Sequence, residues 1–145
     1  MYYKCATMVK GLQRIANMSS LAVLLVPSED HEQWIVARWL DKEGILFYHI
    51  PNGGKRDKRE AAKFKRTGVK AGIPDICIPI PKKQYHGLYG ELKRRRGGKL
   101  SDKQRYWIDT LSGQGYFTFV AKGADEFIKF VKYYMEIIDD EQGSR

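Results

Sequence analysis

The chain alternates between segments in which apolar residues recur every three or four positions and shorter segments that are almost continuously apolar. The first pattern places apolar side chains on one face of a helix, and the second is typical of buried strands. The order of the segments predicts helix, strand, basic helix, strand, strand, helix, strand and helix. We expect helices at 28–44, 57–67, 101–112 and 124–138 with their caps, and strands at 45–50, 75–80, 85–93 and 116–121.

Two of these helices begin at recognisable capping signals. Ser28 precedes a run of acidic residues, which the positive end of a helix dipole favours. Ser101 with Gln104 three residues later matches a capping box. Gly44 is a suitable stop for the first helix. These signals fix where the first and third predicted helices start.

The connections between the predicted strands indicate the type of sheet. A short link at 81–84 favours an antiparallel pairing of the second and third strands, and the helix before the fourth strand favours a parallel, right-handed crossover. We therefore predict an α/β fold with a central mixed sheet flanked by helices. The domain is expected at 27–138, preceded by an extension at 1–26 for packing or self-association and followed by a polar tail at 139–145.

The charge of the chain points to a polyanionic partner. Lys and Arg number 26 against 17 Asp and Glu, a formal net charge of +9. Eight basic residues lie between Lys55 and Lys70, and a second cluster comprises 93–96 with Lys99. The two cysteines, Cys5 and Cys77, have no metal-binding spacing, and no apolar run is long enough for a membrane span or most signal peptides. We expect a protein of the reducing cytoplasm.

Candidate chemistry lies between the two basic clusters. Asp75 begins one predicted strand, and Glu91 and Lys93 lie two positions apart on the next. Side chains two apart on a strand share a face, so Glu91 and Lys93 point the same way while Leu92 points away. Two carboxylates on adjacent strands suit a hard divalent cation such as Mg²⁺, with Mn²⁺ as an alternative. A lysine beside them could counter the charge of a phosphate. This arrangement predicts a metal-dependent nuclease.

These residues resemble the PD-(D/E)xK nuclease superfamily, with Pro74-Asp75 and Glu91-Leu92-Lys93 as the two halves of its signature. The chain is more closely similar to the VRR-NUC family, the virus-type replication-repair nucleases. That resemblance covers about 28–123 and rests on five ordered blocks: Glu29 with Gln33, 49–54, 68–75, 91–93, and Ser101 with Gln104. It implies a restriction-endonuclease-like core of order αβββαβ.

The resemblance also implies roles for individual residues. Asp75 and Glu91 would be direct metal ligands, the Leu92 carbonyl a further ligand, and Glu29 a third carboxylate. Glu32 is a rival for that third position, and Glu29 is favoured by its spacing to Gln33. Lys93 would orient or help deprotonate the attacking water. Gln104 would contact the site or the DNA, or serve as a capping residue alone. The residues expected to bind nucleic acid are Asn52, Gly53, Lys55, Arg56, Lys70, Arg94, Arg95, Arg96 and Lys99.

The function implied by the resemblance is that of a small phage or bacterial endonuclease. Stand-alone members of the family look like homodimers that cut branched DNA, so four-way (Holliday) junctions are the expected substrates and DNA the expected partner. The alternative is a binding module with the same fold that holds nucleic acid without cleaving it. The paired carboxylates favour the enzyme, because they would repel the phosphates that a pure binding module has to attract.

Overall fold

In the computed structural model of the chain, the described residues are 26–51 and 58–137. The predicted polar tail and, apart from residue 26, the predicted N-terminal extension lie outside them. The described elements, in chain order, are α1 (Glu29–Lys42), β1 (Tyr48–His49), α2 (Lys58–Arg66), β2 (Ile76–Ile78), β3 (Leu88–Lys93), α3 (Asp102–Gly113), β4 (Phe117–Lys122) and α4 (Ala124–Met135). Within this part of the chain, every helix is too short or too polar to cross a bilayer.

The four strands form one mixed sheet in the spatial order β1-β2-β3-β4. Strand β2 runs antiparallel to both β1 and β3, whereas β3 and β4 are parallel and are joined through α3. The predicted antiparallel and parallel pairings are both confirmed. Strand β3 therefore lies in the interior of the sheet, paired along its length with β4.

Strands β1 and β2 are shorter than the sequence predicted. The first strand was expected at 45–50, but only Tyr48 and His49 pair with β2, at an edge of the sheet where Leu46 is exposed. Strand β2 ends at Ile78, because Pro79 has no N–H to donate to a ladder. Apolar composition indicated the strands correctly, but the number of paired residues depends on their neighbours in the sheet.

Strand β3 begins at Leu88 and not at residue 85 as predicted. Lys82 and Tyr85 exchange two backbone hydrogen bonds of 3.0 and 2.8 Å, which form a tight turn after β2. The chain therefore joins the sheet only after this turn is complete. Tyr85 instead packs against the core as a partly buried side chain.

The alternating faces of β3 divide the fold into layers. Gly90 lies directly beneath Phe127 of α4, while the neighbouring Glu91 contacts Gln104 of α3. Helices α3 and α4 thus cover opposite faces of the sheet, and α1 packs beside α4. Cys77 is buried among apolar strand residues, as predicted. The buried cluster consists of Val36, Leu40, Ile76, Ile78, Leu88, Leu92, Phe119, Ala121, Ala124, Phe127, Val131 and Tyr134.

Gly90→Ala tests this packing. A Cβ at Gly90 would lie 2.5 Å from the Phe127 ring and 2.7 Å from the Phe119 ring, so the aromatic layer would have to shift. We expect the free energy of unfolding to fall by about 1–3 kcal/mol. Urea denaturation measures the change. Gly113→Ala is the control, since a Cβ there meets nothing within 4 Å, and it should be neutral or stabilise by up to about 1 kcal/mol. Equal effects of the two substitutions would contradict the close packing at Gly90.

Candidate active site

Asp75 is fixed in place by the strands on both sides of it. Its Oδ2 accepts a hydrogen bond from the Leu92 N–H at 2.9 Å, which extends the β2–β3 ladder through a side chain. Its backbone carbonyl accepts from the Ile50 N–H at 2.7 Å and lies 2.9 Å from His49 Nδ1. Because a carbonyl can only accept, Nδ1 is the protonated nitrogen of His49 in this contact. His49 therefore supports the Asp75 backbone.

Glu91 and Lys93 occupy the same face of β3, as their spacing predicted. Lys93 Nζ lies 2.6 Å from Glu91 Oε1, and both side chains are buried. The same carboxylate oxygen accepts a hydrogen bond from Gln104 Nε2. The second oxygen, Oε2, is also buried but has no hydrogen-bond partner within the described residues. The protein thus binds Oε1, whereas Oε2 could still accept a contact from a ligand.

Burial and nearby negative charge raise the pKa of both carboxylic acids. Burial, followed by the charge of Asp75, raises the pKa of Glu91 to about 7, despite the opposing effect of Lys93. Burial also raises the pKa of Asp75, although the Leu92 N–H and the Lys93 ammonium act in the opposite direction. The charge of Asp75 disfavours ionisation of the buried Glu91 carboxylate, and a cation between the two groups would relieve that repulsion.

Gln104 performs both of the roles that the sequence left open. Its Oε1 accepts from the Ser101 N–H at 3.0 Å, while Ser101 Oγ accepts from the Gln104 N–H at 3.3 Å, which completes the predicted capping box. Its Nε2 donates to Glu91. One carboxamide therefore caps α3 with its oxygen and orients the carboxylate with its nitrogen.

A pocket of about 210 Å³ opens beside these groups. Gly72 allows the loop before Asp75 to approach α3 closely: its φ is +92°, and a Cβ there would lie 2.7 Å from the Lys103 backbone. Glu29 reaches this pocket from the start of α1, so the carboxylates of Glu29, Asp75 and Glu91 share one cavity. The lining residues are Glu29, Ala71, Gly72, Asp75, Glu91, Ser101, Lys103 and Gln104. No motif in the sequence pointed to Lys103.

The rival ligand, Glu32, has a different role. Its side chain is fully buried, with Oε1 lying 2.5 Å from Arg95 Nε and Oε2 accepting from the Ala124 N–H at 2.7 Å. The Arg95 guanidinium also contacts Asp125 at 2.9 Å. These contacts join α1, the end of β3 and the start of α4. No short sequence motif pairs Glu32 with Arg95, because 63 residues separate them.

The predicted metal ligands are not gathered into one compact cluster. Within residues 26–51 and 58–137, no group of three or more His, Cys, Asp or Glu side chains could hold a metal ion. Glu29 lines the pocket without completing such a set. Mg²⁺ is commonly held by one or two carboxylates, with waters and phosphate oxygens as its other ligands. Asp75 and the unpartnered oxygen of Glu91 fit that smaller requirement. The Leu92 carbonyl remains a prediction.

The residues predicted to bind nucleic acid fall into three groups. Exposed positions are occupied by Lys70, Arg94, Arg96 and Lys99. Arg95 is also exposed, but its guanidinium pairs with Glu32 and Asp125, which gives it a structural role. Its contact with nucleic acid stays a prediction. Outside the described residues are Asn52, Gly53, Lys55 and Arg56.

Arg95→Ala tests the structural role of this ion pair. The substitution leaves the buried Glu32 carboxylate without its cationic partner, and we expect the free energy of unfolding to fall by about 3 kcal/mol. Chemical denaturation at neutral pH measures the change. Arg94→Ala is the matched control, since Arg94 is exposed, and should stay within about 0.5 kcal/mol of the wild type. Equal stabilities of the two variants would contradict the structural role.

The same variant has a predicted pH dependence. Burial raises the pKa of Glu32, but the hydrogen bonds from Arg95 and the Ala124 N–H outweigh it and lower the pKa below its usual value of 4.5. The contribution of Glu32 to stability is therefore complete above the unfolded-state pKa and is lost as pH falls through the lower folded-state pKa. Without Arg95, the effect of burial would exceed that of the Ala124 N–H, and the pKa of Glu32 would rise. The stability difference between wild type and Arg95→Ala should narrow on acidification, and a difference independent of pH would contradict this assignment.

Comparisons with known proteins agree with this geometry. The sequence profile of the VRR-NUC domain family matches residues 26–125. A solved structure titled as a VRR-NUC domain protein is 34% identical, with a TM-score of 0.69, and the match covers 82% of this chain and 97% of that one. A search of curated proteins gives no match. The family match includes α1, the whole sheet, α3 and the Glu32–Arg95 pair. The chain therefore belongs to the VRR-NUC family of nucleases and has its restriction-endonuclease-like fold.

Proposed function

We propose that the protein is a Mg²⁺- or Mn²⁺-dependent endodeoxyribonuclease that cleaves branched DNA, such as four-way junctions, as a homodimer. The observation that carries the catalytic part is the buried Glu91 oxygen without a partner in the described residues, beside a second carboxylate at Asp75. A buried charged oxygen without a partner is costly unless a ligand satisfies it. A divalent cation is the ligand that suits two carboxylates.

The chain's own residues define the reaction site around that cation. Asp75 and Glu91 would hold it. Glu29 lies in the same pocket, where its carboxylate could accept hydrogen bonds from water. When bound, the cation supplies an activated water and neutralises charge on the phosphate. Gln104 fixes the orientation of the Glu91 carboxylate through its hydrogen bond to Oε1.

Lys93 contributes the positive charge of the site. Its ammonium contacts Glu91 Oε1 and is buried, so it is held at a fixed distance from the carboxylate pair. An ammonium in that place can orient the attacking water and stabilise the negative charge that develops on the phosphate during in-line attack. Hydrolysis then forms a bond between the water oxygen and the phosphorus and breaks one P–O bond of the DNA backbone. One end of the cut strand keeps the phosphate, and the leaving oxygen of the other end takes up a proton and becomes a hydroxyl group.

The preference for branched DNA and the homodimer rest on different support. Both are implied by the similarity to stand-alone members of the family, and the basic surface agrees with contacts to the DNA backbone. Lys70, Arg94, Arg96 and Lys99 are exposed and can bind phosphates without reading bases. Recognition by the shape of the DNA follows from contacts of that kind. Two subunits would provide two cleavage sites.

Substitutions at the carboxylates and at the lysine test the catalytic proposal. We expect Asp75→Asn, Glu91→Gln and Lys93→Ala each to lower the rate of DNA cleavage by at least about 100-fold. Binding of the same DNA should persist, because the exposed basic residues remain. Single-turnover cleavage with Mg²⁺ and a parallel gel-shift assay measure the two effects.

Matched controls separate these effects from general damage. Asp109→Asn and Lys129→Ala change the same residue types at exposed positions outside the pocket and should cleave normally. Chelation with EDTA should abolish wild-type cleavage, and added Mg²⁺ or Mn²⁺ should restore it. A wild-type protein that binds DNA but never cleaves it with either metal would support the non-cleaving binding module instead.

A panel of DNA shapes tests the finer part of the proposal. We expect four-way junctions to be cleaved faster than linear duplexes of equal length, because phosphate contacts made by a dimer fit bent or crossed arms better than a single straight helix. Cleavage of linear, flap, fork and four-way substrates and the mass of the protein in solution are the measurements. Equal rates on all substrates, or a monomeric mass during cleavage, would contradict this part and leave the catalytic proposal standing.

A further inference from the structure

A wide groove of about 700 Å³ lies beside the candidate active site. Its walls come from α2, from the loop at 69–71 and from the first half of α3. The lining residues are Ala61, Phe64, Lys65, Val69, Lys70, Ala71, Lys103, Tyr106 and Trp107. None of the roles described above for the carboxylate site uses the aromatic residues of this groove.

The groove adjoins the active-site pocket. Ala71 and Lys103 line both cavities, so the two cavities lie on either side of these residues. Gly72 keeps the dividing loop close against α3, where a Cβ would collide with Lys103. A polymer with one phosphate at Asp75 and Glu91 would therefore have its neighbouring units within reach of the groove.

The walls of the groove combine positive charge with aromatic rings. Lys65, Lys70 and Lys103 are exposed, and none of the described residues that line the groove is acidic. Tyr106 is 63% exposed, although it stands on a helix that covers the sheet. Its ring lies edge-on to Trp107, with 5.9 Å between centroids and 75° between planes. Lysines that bind phosphates next to aromatic faces that stack on bases are the usual walls of single-strand binding grooves.

We propose that this groove binds unpaired nucleotides of the DNA strand next to the scissile phosphate, with Tyr106 stacking on a base. The inference rests on the proposed nuclease function and specifies its substrate. A base that is still paired inside a duplex cannot present its face to a side chain. The enzyme would therefore act where nucleotides are unpaired, at a flap, a fork or the opened branch point of a junction.

The charge of the groove favours this occupant over other parts of the same chain. The sequence preceding residue 26 carries Lys4, Lys10 and Arg14 and no acidic residue, so its charge has the same sign as that of the groove. A second copy of this basic protein would meet the same repulsion. A DNA strand has the opposite charge and also supplies flat aromatic bases.

Removal of the exposed ring tests the inference. We expect Tyr106→Ala to weaken the binding of a short labelled oligothymidine by at least about fivefold, the lower end of the range for one stacked base. Tyr106→Phe keeps the ring and should bind like the wild type. Fluorescence anisotropy in EDTA at one fixed salt concentration measures binding without any cleavage.

Tyr133→Ala is the matched control for the loss of a tyrosine ring. Tyr133 is 61% exposed on α4, away from the groove, and its removal should change binding by less than about twofold. Equal weakening by Tyr106→Ala and Tyr133→Ala would overturn the inference. Wild-type protein that does not bind oligothymidine would also overturn it. So would a change in solution mass caused by Tyr106→Ala, because the groove would then be a contact between copies.

The two proposals fail in different ways. The protein could bind oligothymidine through Tyr106 and yet cleave no DNA with any metal. That result would contradict the nuclease mechanism and support the groove as a strand-binding site. Tyr106→Ala could instead cleave flaps and forks normally and bind oligothymidine like the wild type. That result would contradict strand binding in the groove and support the nuclease mechanism.

Discussion

The burial of the Glu91 carboxylate inside a small domain is the constraint on which the site depends. The carboxylate shares one oxygen between an ammonium and a carboxamide, from Lys93 and Gln104, and leaves its other oxygen unpaired within the described residues. Burial, and then the negative charge of Asp75, keep the pKa of Glu91 high. The surrounding strands and helices have to hold these two negative charges in place against their mutual repulsion. The site is therefore built from rigid elements on several sides.

Strand β3 connects this constraint to the rest of the protein. One face carries Glu91 and Lys93 toward α3, and the other carries Gly90 and Leu92 into the aromatic core. Immediately after the strand, Arg95 binds Glu32 of α1 and Asp125 of α4. A displacement of β3 would disturb the hydrophobic core, the ion pair and the carboxylates together. The packing of the core and the geometry of the site are thus parts of one structure.

The sequence predicted the features that depend on local periodicity and spacing. The order of elements, the caps at Ser28 and Ser101 and the shared face of Glu91 and Lys93 all follow from such rules. The length of β1 did not, because it is set by a neighbouring strand. The Glu32–Arg95 pair and the groove at Tyr106 were also missed. Both join residues far apart in the chain, and nothing in a local pattern shows which distant partners will meet.

The double use of the Gln104 side chain has a consequence for dynamics. Its oxygen closes the first turn of α3, and its nitrogen holds a carboxylate of the site. Fraying of that turn would release both contacts at once, since a single carboxamide makes them. Local opening at the start of this helix would therefore leave Lys93 as the one described contact on the Glu91 carboxylate. The lifetime of a single helical turn thus sets how long Gln104 and Lys93 hold the same carboxylate oxygen together.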